Sequence, residues 1–298
     1  MTNSHSSKPE WGTRQFLNVS DGASLLIRTV GPANKPTLLC LSRHGGNGLE
    51  FARLAARFSD TFQVVAIDRR GHGESDFLPK DRGYAVQQFA ADLIEIVDQL
   101  GLKEILGVGV SMGGGMLCLL NEQRPGVLKG AVVVDIGPET KPPDDMEKAM
   151  ARMHTLYGLF TAAYDTFDDI VEAWKKIQDD QWPNVEQDEW EFLAACSTTQ
   201  GEDGKWTFTS DINGFMQRQP AEQPPDYWPS WNALAQNVPT MLVYGELSNL
   251  LSPEIVKKMT EGTPVEVVMA PGIGHHPIID LNPIRGEIER FILQHSQS

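Results

Sequence analysis

The chain has 298 residues, 41% of them hydrophobic, and a formal net charge of −15. This length suffices for one large domain with a sizeable core and an insertion. The excess of acidic side chains repels nucleic-acid phosphates and anionic membrane surfaces, so we expect neither as a partner.

The spacing of the cysteines and the distribution of apolar residues bear on the cellular compartment of the protein. Cys40, Cys118 and Cys196 are widely spaced, without a metal-binding spacing such as C-x-x-C, and an odd number of cysteines fits a reducing environment. Residues 1–10 are polar and do not resemble a secretory signal. No run of about 18 apolar residues predicts a membrane span. We therefore expect a cytoplasmic protein.

The first half of the chain alternates short apolar runs with segments of helix length. Gln15–Val19 and Ser24–Val30 flank the turn pair Asp21-Gly22 and predict a β-hairpin. Runs rich in Leu, Val and Ile are typical of strands that are covered on both faces, so the alternation predicts a mostly parallel, doubly wound α/β sheet. The predicted strands are Thr37–Leu41, Phe62–Ile67, Ile105–Val110 and Ala131–Asp135, and the predicted helices are Leu49–Phe58, Val86–Leu100 and Met112–Glu122.

The alternation stops near Pro138 and resumes at Thr240. Residues 141–231 show helix-like stretches and no convincing run of a buried strand, and they hold six of the seven tryptophans. We therefore predict an α/β core formed by residues 11–140 and 232–298, which a helical segment of residues 141–231 interrupts. The second part of the core carries predicted strands at Thr240–Tyr244 and Val265–Met269 and predicted helices from Ser252 and at Pro283–Gln294.

The strongest chemical motif is Gly109-Val110-Ser111-Met112-Gly113, which follows a buried strand and opens a helix. A tight strand-to-helix turn of this kind exposes its serine as a nucleophile and needs small residues two positions before and after it. The backbone N–H of Met112, at the start of the helix, can then donate to a developing oxyanion. The motif predicts that Ser111 is a catalytic nucleophile.

A nucleophilic serine needs a base, and His275 is the strongest candidate. It lies in a Gly- and Pro-rich loop after the last predicted strand, and such a loop can carry an imidazole to the sheet edge where Ser111 stands. His276 is the less favoured neighbour. His154 in the helical segment, and His5 and His295 near the termini, are expected at the surface.

These features together resemble the α/β-hydrolase fold family. The resemblance rests on the chain order, the elbow at Ser111, the Gly272-Ile273-Gly274-His275 loop and Asp68-Arg69-Arg70-Gly71-His72-Gly73-Glu74-Ser75, which is similar to the family's D-x-R-G-H-G-x-S turn. It implies an inserted lid over the active site at residues 141–231, a structural role for His72, and chemistry without a metal or cofactor.

The sequence leaves three candidates for the third member of the implied triad. Relatives usually carry this carboxylate after the seventh strand, where counting from Gly245 and Pro253 falls on Asn249. An amide can orient an imidazole but cannot stabilise the imidazolium by charge. Asp135, at the end of the sixth strand, and Glu246 are the alternatives.

The oxyanion loop also departs from the usual His-Gly-x pattern. Ungapped counting places His44 at the position whose N–H points into the oxyanion hole, whereas a shift of two residues places Gly46 there. Arg43 is an added cation, which could form a salt bridge or bind a substrate carboxylate or carbonyl. Among the aromatic residues of the helical segment, Trp182, Trp206 and Phe215 are candidates to line a substrate pocket.

The residues predict a serine hydrolase of a small carboxylic ester or lactone that works through an acyl-enzyme, with an apolar or aromatic small-molecule substrate. A C–C bond hydrolase acting on a diketone or ring-fission product could use the same residues. The Asn at position 249 motivates a third hypothesis, that the chain is a cofactor-free lyase or oxygenase, or a ligand-binding protein that has lost hydrolysis.

Overall fold

A computed structural model describes residues 8–77, 84, 86–178, 180–212, 225–275 and 279–296. Eight of its strands form one sheet in the order β1-β2-β4-β3-β5-β6-β9-β10. The first two strands pair antiparallel, and β3, β4, β5, β6, β9 and β10 run parallel to one another. The strands are β1 (Thr13–Asn18), β2 (Ser24–Val30), β3 (Thr37–Leu41), β4 (Gln63–Ile67), β5 (Ile105–Val110), β6 (Leu128–Val134), β7 (Thr198–Gln200), β8 (Trp206–Phe208), β9 (Thr240–Gly245) and β10 (Glu266–Ala270).

Helices cover both faces of this sheet, which confirms the predicted doubly wound α/β architecture. Separate apolar clusters lie on the two faces, one around Leu93, Leu117 and Trp231 and the other around Leu54 and Phe291. The described helices are α1 (Ala52–Phe58), α2 (Val86–Leu100), α3 (Met112–Gln123), α4 (Met146–Thr161), α5 (Phe167–Gln178), α6 (Gln187–Ser197), α7 (Trp228–Asn237), α8 (Pro253–Thr260) and α9 (Ile284–His295), and a short 3₁₀ turn spans Gly48–Phe51.

The central strand β5 shows why its helix can lie so close to the sheet. All six of its residues are buried. Leu106, Val108 and Val110 pack on one face, while Gly107 alternates with them and faces α3. A Cβ at Gly107 would overlap the side chain of Leu117 on α3. The small residue therefore lets α3 approach the strand, which places the helix N-terminus at the carboxyl edge of the sheet.

We use the name insertion for residues 146–178 and 180–212, which contain α4, α5, α6, β7 and β8. Helices α4, α5 and α6 pack around an apolar cluster that includes Trp174, Trp182 and Trp190. The sequence predicts no buried strand run here, and the structure adds two short strands, β7 and β8, which pair antiparallel and have one buried residue each. Each strand has only three residues, too few to show an alternating pattern in the sequence.

Helix α7 packs apart from the insertion's cluster. Its Trp231 belongs to the apolar cluster around α2 and α3, and the indole Nε1–H donates to the carbonyl of Met259 at 2.8 Å. Among the helices of the described residues, none is long and apolar enough to cross a membrane.

Candidate active site

The turn at Ser111 has the strained geometry of a nucleophile elbow. Ser111 adopts φ 49° and ψ −115°, a conformation that non-glycine residues rarely take. A Cβ at Gly109 would overlap the backbone of Gly113 and Gly114, and a Cβ at Gly113 would overlap the carbonyl of Leu41. The two glycines therefore allow the chain to turn directly from β5 into α3 with the serine at its apex.

Ser111, His275 and Asp135 are joined by two hydrogen bonds. The Ser111 Oγ lies 3.0 Å from the Nε2 of His275, and the Nδ1 of His275 lies 3.0 Å from the Oδ2 of Asp135. A carboxylate can only accept, so Nδ1 carries the proton and Nε2 is left to accept from the serine hydroxyl. This is the arrangement in which an imidazole can take the proton from an attacking serine.

Asp135 is positioned by the sheet itself. It directly follows β6, is fully buried, and adopts a positive φ of 53°. Its backbone N–H donates to the carbonyl of Val243 on β9 at 2.7 Å. The hydrogen bond fixes the residue where β6 and β9 lie side by side, and the carboxylate reaches the imidazole from there.

The other two candidate acids lie elsewhere. Asn249 is exposed in the loop after β9. Glu246 is also exposed, and its Oε2 accepts from the backbone N–H of Gly272 at 2.8 Å, so it braces the loop that carries His275. Of the three candidates, Asp135, which follows the sixth strand, is the one that the structure brings to the imidazole.

The oxyanion loop follows β3 and faces the start of α3. His44 and Met112 both line the cavity that contains Ser111. The N–H of Gly46 donates instead to the carbonyl of Arg43 at 3.2 Å. The structure therefore favours His44 over Gly46 for the position beside Ser111. Burial, together with the nearby Arg69 and Arg43, lowers the pKa of the His44 imidazole to about 3, so its ring is neutral at pH 7.

Arg43 lies in a buried ion pair and does not line the cavity around Ser111. Its Nη2 contacts the Oε1 of Glu50 at 2.6 Å, and its guanidinium stacks 5.1 Å from the ring centre of Trp174 in the insertion. Glu50 and Trp174 thus engage the Arg43 cation, so the structure shows the salt-bridge alternative and not contact with the cavity. Burial raises the pKa of Glu50, and Arg43 opposes this rise.

The Asp68–Ser75 turn braces the oxyanion loop. Arg69 donates to the carbonyls of Ser42 and Arg43 at 2.5 and 2.7 Å, and the Asp68 carboxylate accepts from the N–H of Gly48 at 2.7 Å. The imidazole of His72 is buried and packs edge-on against His44 with 5.2 Å between ring centres. These contacts agree with a structural role for the motif.

The cavity beside Ser111 has a volume of about 190 Å³. Trp182 lies in the core of the insertion, where its Nε1–H donates to the carbonyl of His275 at 3.2 Å, and Trp206 packs on Phe167. Neither tryptophan lines this cavity, and Phe215 lies outside the described residues. The lining residues are His44, Val86, Ser111, Met112, Gly115, Cys118, Leu119, Ile136, Gly137, Pro138, Tyr227 and Trp231.

Sequence reasoning identified Met112 as an oxyanion donor but missed the other lining residues that α3 contributes. Met112, Gly115 and Leu119 are spaced three and four residues apart, so they share one face of the helix that begins at the elbow. That spacing could have identified the pocket once Ser111 was chosen. Metal binding is not suggested by the described residues, which contain no suitable cluster of three or more His, Cys, Asp or Glu side chains.

The sheet order and the elbow define the class of protein, an α/β hydrolase. A family model of the alpha/beta hydrolase fold matches residues 36–171. An α/β hydrolase structure from Novosphingobium aromaticivorans superposes with a TM-score of 0.85 at 27% identity, covering 96% of this chain and 100% of that chain. The chain belongs to the α/β-hydrolase fold family and is a hydrolase.

Two characterised relatives match over most of their length. A 3-hydroxybutyrate-oligomer hydrolase from Cupriavidus necator is 27% identical over 261 residues, which are 83% of this chain and 84% of the relative. A 2-(acetamidomethylene)succinate hydrolase from Mesorhizobium japonicum is 28% identical over 245 residues, 80% of this chain and 81% of the relative. Both names describe hydrolases, although of different substrates.

Proposed function

We propose that the protein is a serine hydrolase that cleaves a small carboxylic ester or lactone through an acyl-enzyme. The observation that carries this proposal is the continuous chain of hydrogen bonds from Ser111 through His275 to Asp135. The 3-hydroxybutyrate-oligomer hydrolase among the relatives adds support, because hydroxy acids joined into oligomers are linked by carboxylic esters.

In this mechanism Ser111 attacks the ester carbonyl while the Nε2 of His275 takes the hydroxyl proton. Asp135 holds the Nδ1–H and stabilises the imidazolium that forms. The backbone N–H groups of Met112 and His44 donate to the oxyanion. The imidazolium then protonates the leaving alcohol, and a water activated by His275 releases the acid and regenerates Ser111.

The alternative reactions would involve the same residues. A C–C bond hydrolase would use the same three side chains, so only the choice of substrate separates it from an esterase. The hypothesis of a lyase, an oxygenase or an inactivated hydrolase came from Asn249 at the expected acid position. Asp135 at hydrogen-bond distance from His275 removes that motive.

We further propose that the predicted segment 141–231 acts as a lid and that the enzyme is cytoplasmic. Contacts between the insertion and the loops of the site support the first point, among them Trp182 to His275 and Asn47 to the carbonyl of Cys196 at 2.8 Å. The three cysteines are buried and carry free thiols, which fits a reducing compartment.

A fluorophosphonate probe, which reacts with activated serines, tests the nucleophile directly. We expect labelling of the wild-type protein and of Ser20→Ala, which changes an exposed serine, but not of Ser111→Ala. The same three proteins are assayed with short p-nitrophenyl esters and with a vinylogous 1,5-diketone. Labelling or turnover that persists in Ser111→Ala would refute the proposal, whereas Ser111-dependent cleavage of the diketone alone would favour C–C hydrolysis.

A further inference from the structure

The cavity beside Ser111 is built almost entirely from apolar groups. Helix α3 supplies Met112, Cys118 and Leu119, the loop after β6 supplies Ile136, and α7 supplies Trp231. Its volume of about 190 Å³ is somewhat larger than the roughly 150 Å³ of a dry apolar cavity that holds benzene. The space therefore suits a group of five to six carbon atoms.

Two ionisable side chains of this lining, those of Cys118 and His44, are neutral at pH 7. Burial raises the pKa of the Cys118 thiol to about 12, and burial lowers that of the His44 imidazole to about 3. The nearest buried guanidiniums are engaged elsewhere, since Arg43 pairs with Glu50 and Arg69 donates to backbone carbonyls. Among the described lining residues, no Lys or Arg faces the cavity.

A carboxylate that enters such a cavity loses its hydration and gains no counter-ion from the described lining residues, which is costly. We propose that this cavity binds an uncharged, apolar group of the substrate, of about six carbons, and rejects a substrate that carries a carboxylate at that end. The inference rests on the proposed esterase function. It separates this chain from an enzyme for a dicarboxylic substrate such as the succinate derivative named for one relative.

Two esters of the same shape test the inference. The acyl group of p-nitrophenyl 4-methylpentanoate ends in an isopropyl group, and that of mono-p-nitrophenyl succinate has a carboxylate of similar size in its place. We expect kcat/KM for the neutral ester to be higher by at least about 100-fold, because a penalty of about 1.4 kcal/mol already gives a factor of ten. A ratio below about threefold would overturn the proposal.

A positive charge introduced into the wall should weaken the preference for the neutral ester. Leu119→Lys places an ammonium at the cavity, and we expect the ratio of the two kcat/KM values to fall by about tenfold or more. Leu293→Lys makes the same chemical change at an exposed position of α9, on the other side of the sheet, and should leave the ratio unchanged. An unchanged ratio in a folded Leu119→Lys protein would count against the proposal.

Binding without turnover separates this inference from the proposed function. Calorimetric titration of Ser111→Ala with methyl 4-methylpentanoate and with monomethyl succinate reports the preference of the cavity directly. Tighter binding of the neutral ester by Ser111→Ala, together with a wild-type protein that hydrolyses no ester, would support the cavity inference and refute the esterase. Equal binding of the two esters by Ser111→Ala, together with an active wild-type esterase, would refute the cavity inference and support the esterase.

A second inference comes from the backbone of His275, which the insertion holds on both sides. The N–H of His275 donates to the Oε1 of Gln181 at 3.0 Å, and the carbonyl of His275 accepts from the Nε1–H of Trp182 at 3.2 Å. The N–H of Gly274 donates to the backbone carbonyl of Gln181 at 2.5 Å. Three hydrogen bonds thus join two consecutive residues of the insertion to the loop of the base.

The fit around Gln181 is close. A Cβ at Gly274 would overlap the Gln181 side chain, so the glycine allows this side chain to lie against the loop. A general base needs its reacting atom held within roughly 0.5 Å of the productive position. We infer that Gln181 is a positioning residue, which sets the height of the His275 imidazole above Ser111 through the main chain.

Isosteric variants of Gln181 test this role. Gln181→Met removes the acceptor and keeps the shape, and we expect kcat to fall by about tenfold to 100-fold with KM nearly unchanged. Gln181→Glu keeps an oxygen for the His275 N–H and should restore kcat to within about threefold of wild type. The matched control is Gln187→Met, an exposed glutamine of α6 in the same insertion, which should behave as wild type.

The rate of fluorophosphonate labelling gives a readout that does not depend on the substrate. It should fall with kcat in Gln181→Met, and the melting temperature reports whether the fold is intact. Equal losses in Gln181→Met and Gln181→Glu, or full activity in Gln181→Met, would overturn the inference.

Discussion

The carboxylate of Asp135 lies 3.0 Å from the Nδ1 of His275, although 140 positions separate the two residues in the chain. One follows β6 and the other follows β10, with β9 between the two strands. Because parallel strands end at the same edge of a sheet, their following residues can meet there. The carboxylate that follows β6 thus reaches the imidazole that follows β10 at this shared edge. The contact does not require an acid in the loop after β9.

Replacing Asp135 should remove most of the activity while the fold persists. In Asp135→Asn we expect kcat to fall by roughly 10⁴-fold, because the amide can select the wrong tautomer of His275 and cannot stabilise the imidazolium. Steady-state kinetics with a p-nitrophenyl ester measures the loss, and circular dichroism checks the fold. A variant with activity within tenfold of wild type would contradict the assignment of the acid.

Asn249 should be dispensable. Its side chain is exposed, so both Asn249→Ala and Asn249→Asp should keep kcat and KM within about twofold of wild type. The same ester assay is used, and the double variant Asp135→Asn with Asn249→Asp tests for rescue. Strong activation by Asn249→Asp alone would show that the usual acid position still matters in this chain.

The elbow geometry predicts that alanine substitutions at two glycines of α3 will change the stability of the protein in opposite directions. Gly113→Ala should destabilise the protein by about 1–3 kcal/mol or more, since the added methyl group overlaps the carbonyl of Leu41. Gly115→Ala meets open space in the helix interior and should stabilise it by up to about 1 kcal/mol. Thermal denaturation measures both changes. Equal melting temperatures for the two variants would contradict the close approach of α3 to β3.

The buried ion pair between Arg43 and Glu50 should contribute more to the stability of the fold than to substrate binding. Arg43→Met leaves Glu50 buried without its charged partner, which typically costs about 3–5 kcal/mol. Adding Glu50→Leu removes the stranded carboxylate and should recover much of the loss. Urea denaturation of the single and double variants measures this coupling. A large rise in KM with unchanged stability in Arg43→Met would instead indicate that Arg43 binds the substrate.

His72 predicts loss of stability on mild acidification. Burial, with Arg69 and His44 adding to it, holds the pKa of the folded imidazole well below the value of about 6.5 expected in the unfolded chain. Between these two values the unfolded chain binds a proton that the folded chain does not, so stability falls as pH decreases below about 6.5. The contribution of this residue grows as the pH falls and is at most about 2 kcal/mol at pH 5.

Urea denaturation at pH 7 and pH 5 measures this effect. In His72→Asn the difference in free energy of unfolding between the two pH values should shrink by about that amount. His154→Asn changes an exposed histidine and provides the control. An identical pH dependence in wild type and His72→Asn would contradict the prediction.

Patterning in the sequence was enough for the sheet, since β3 to β6 are apolar runs that only a sheet covered on both faces can bury. The elbow was recognisable because a serine between Gly109 and Gly113 has few other structural reasons to follow a buried strand. Asp135 was harder to choose, because its contact with His275 depends on the pairing of β6 with β9, and this pairing leaves no local mark in the sequence.

The pocket shows a different limit. Trp182 and Trp206 were chosen for their size, but large aromatic side chains also fill the interior of a helical insertion, and the structure uses them in that way. The wall of the cavity comes from smaller residues such as Cys118 and Ile136, whose common location depends on how α3 and the loop after β6 meet. Residue type alone therefore does not predict which side chains line the cavity.

The hydrogen bonds from Gln181 and Trp182 to His275 have a consequence for protein engineering. One engineering approach is to exchange the insertion between family members. In this chain the exchanged piece would also carry the supports of the base. A chimera therefore needs residues 181–182 and 271–275 from the same parent, or its His275 imidazole will be misaligned.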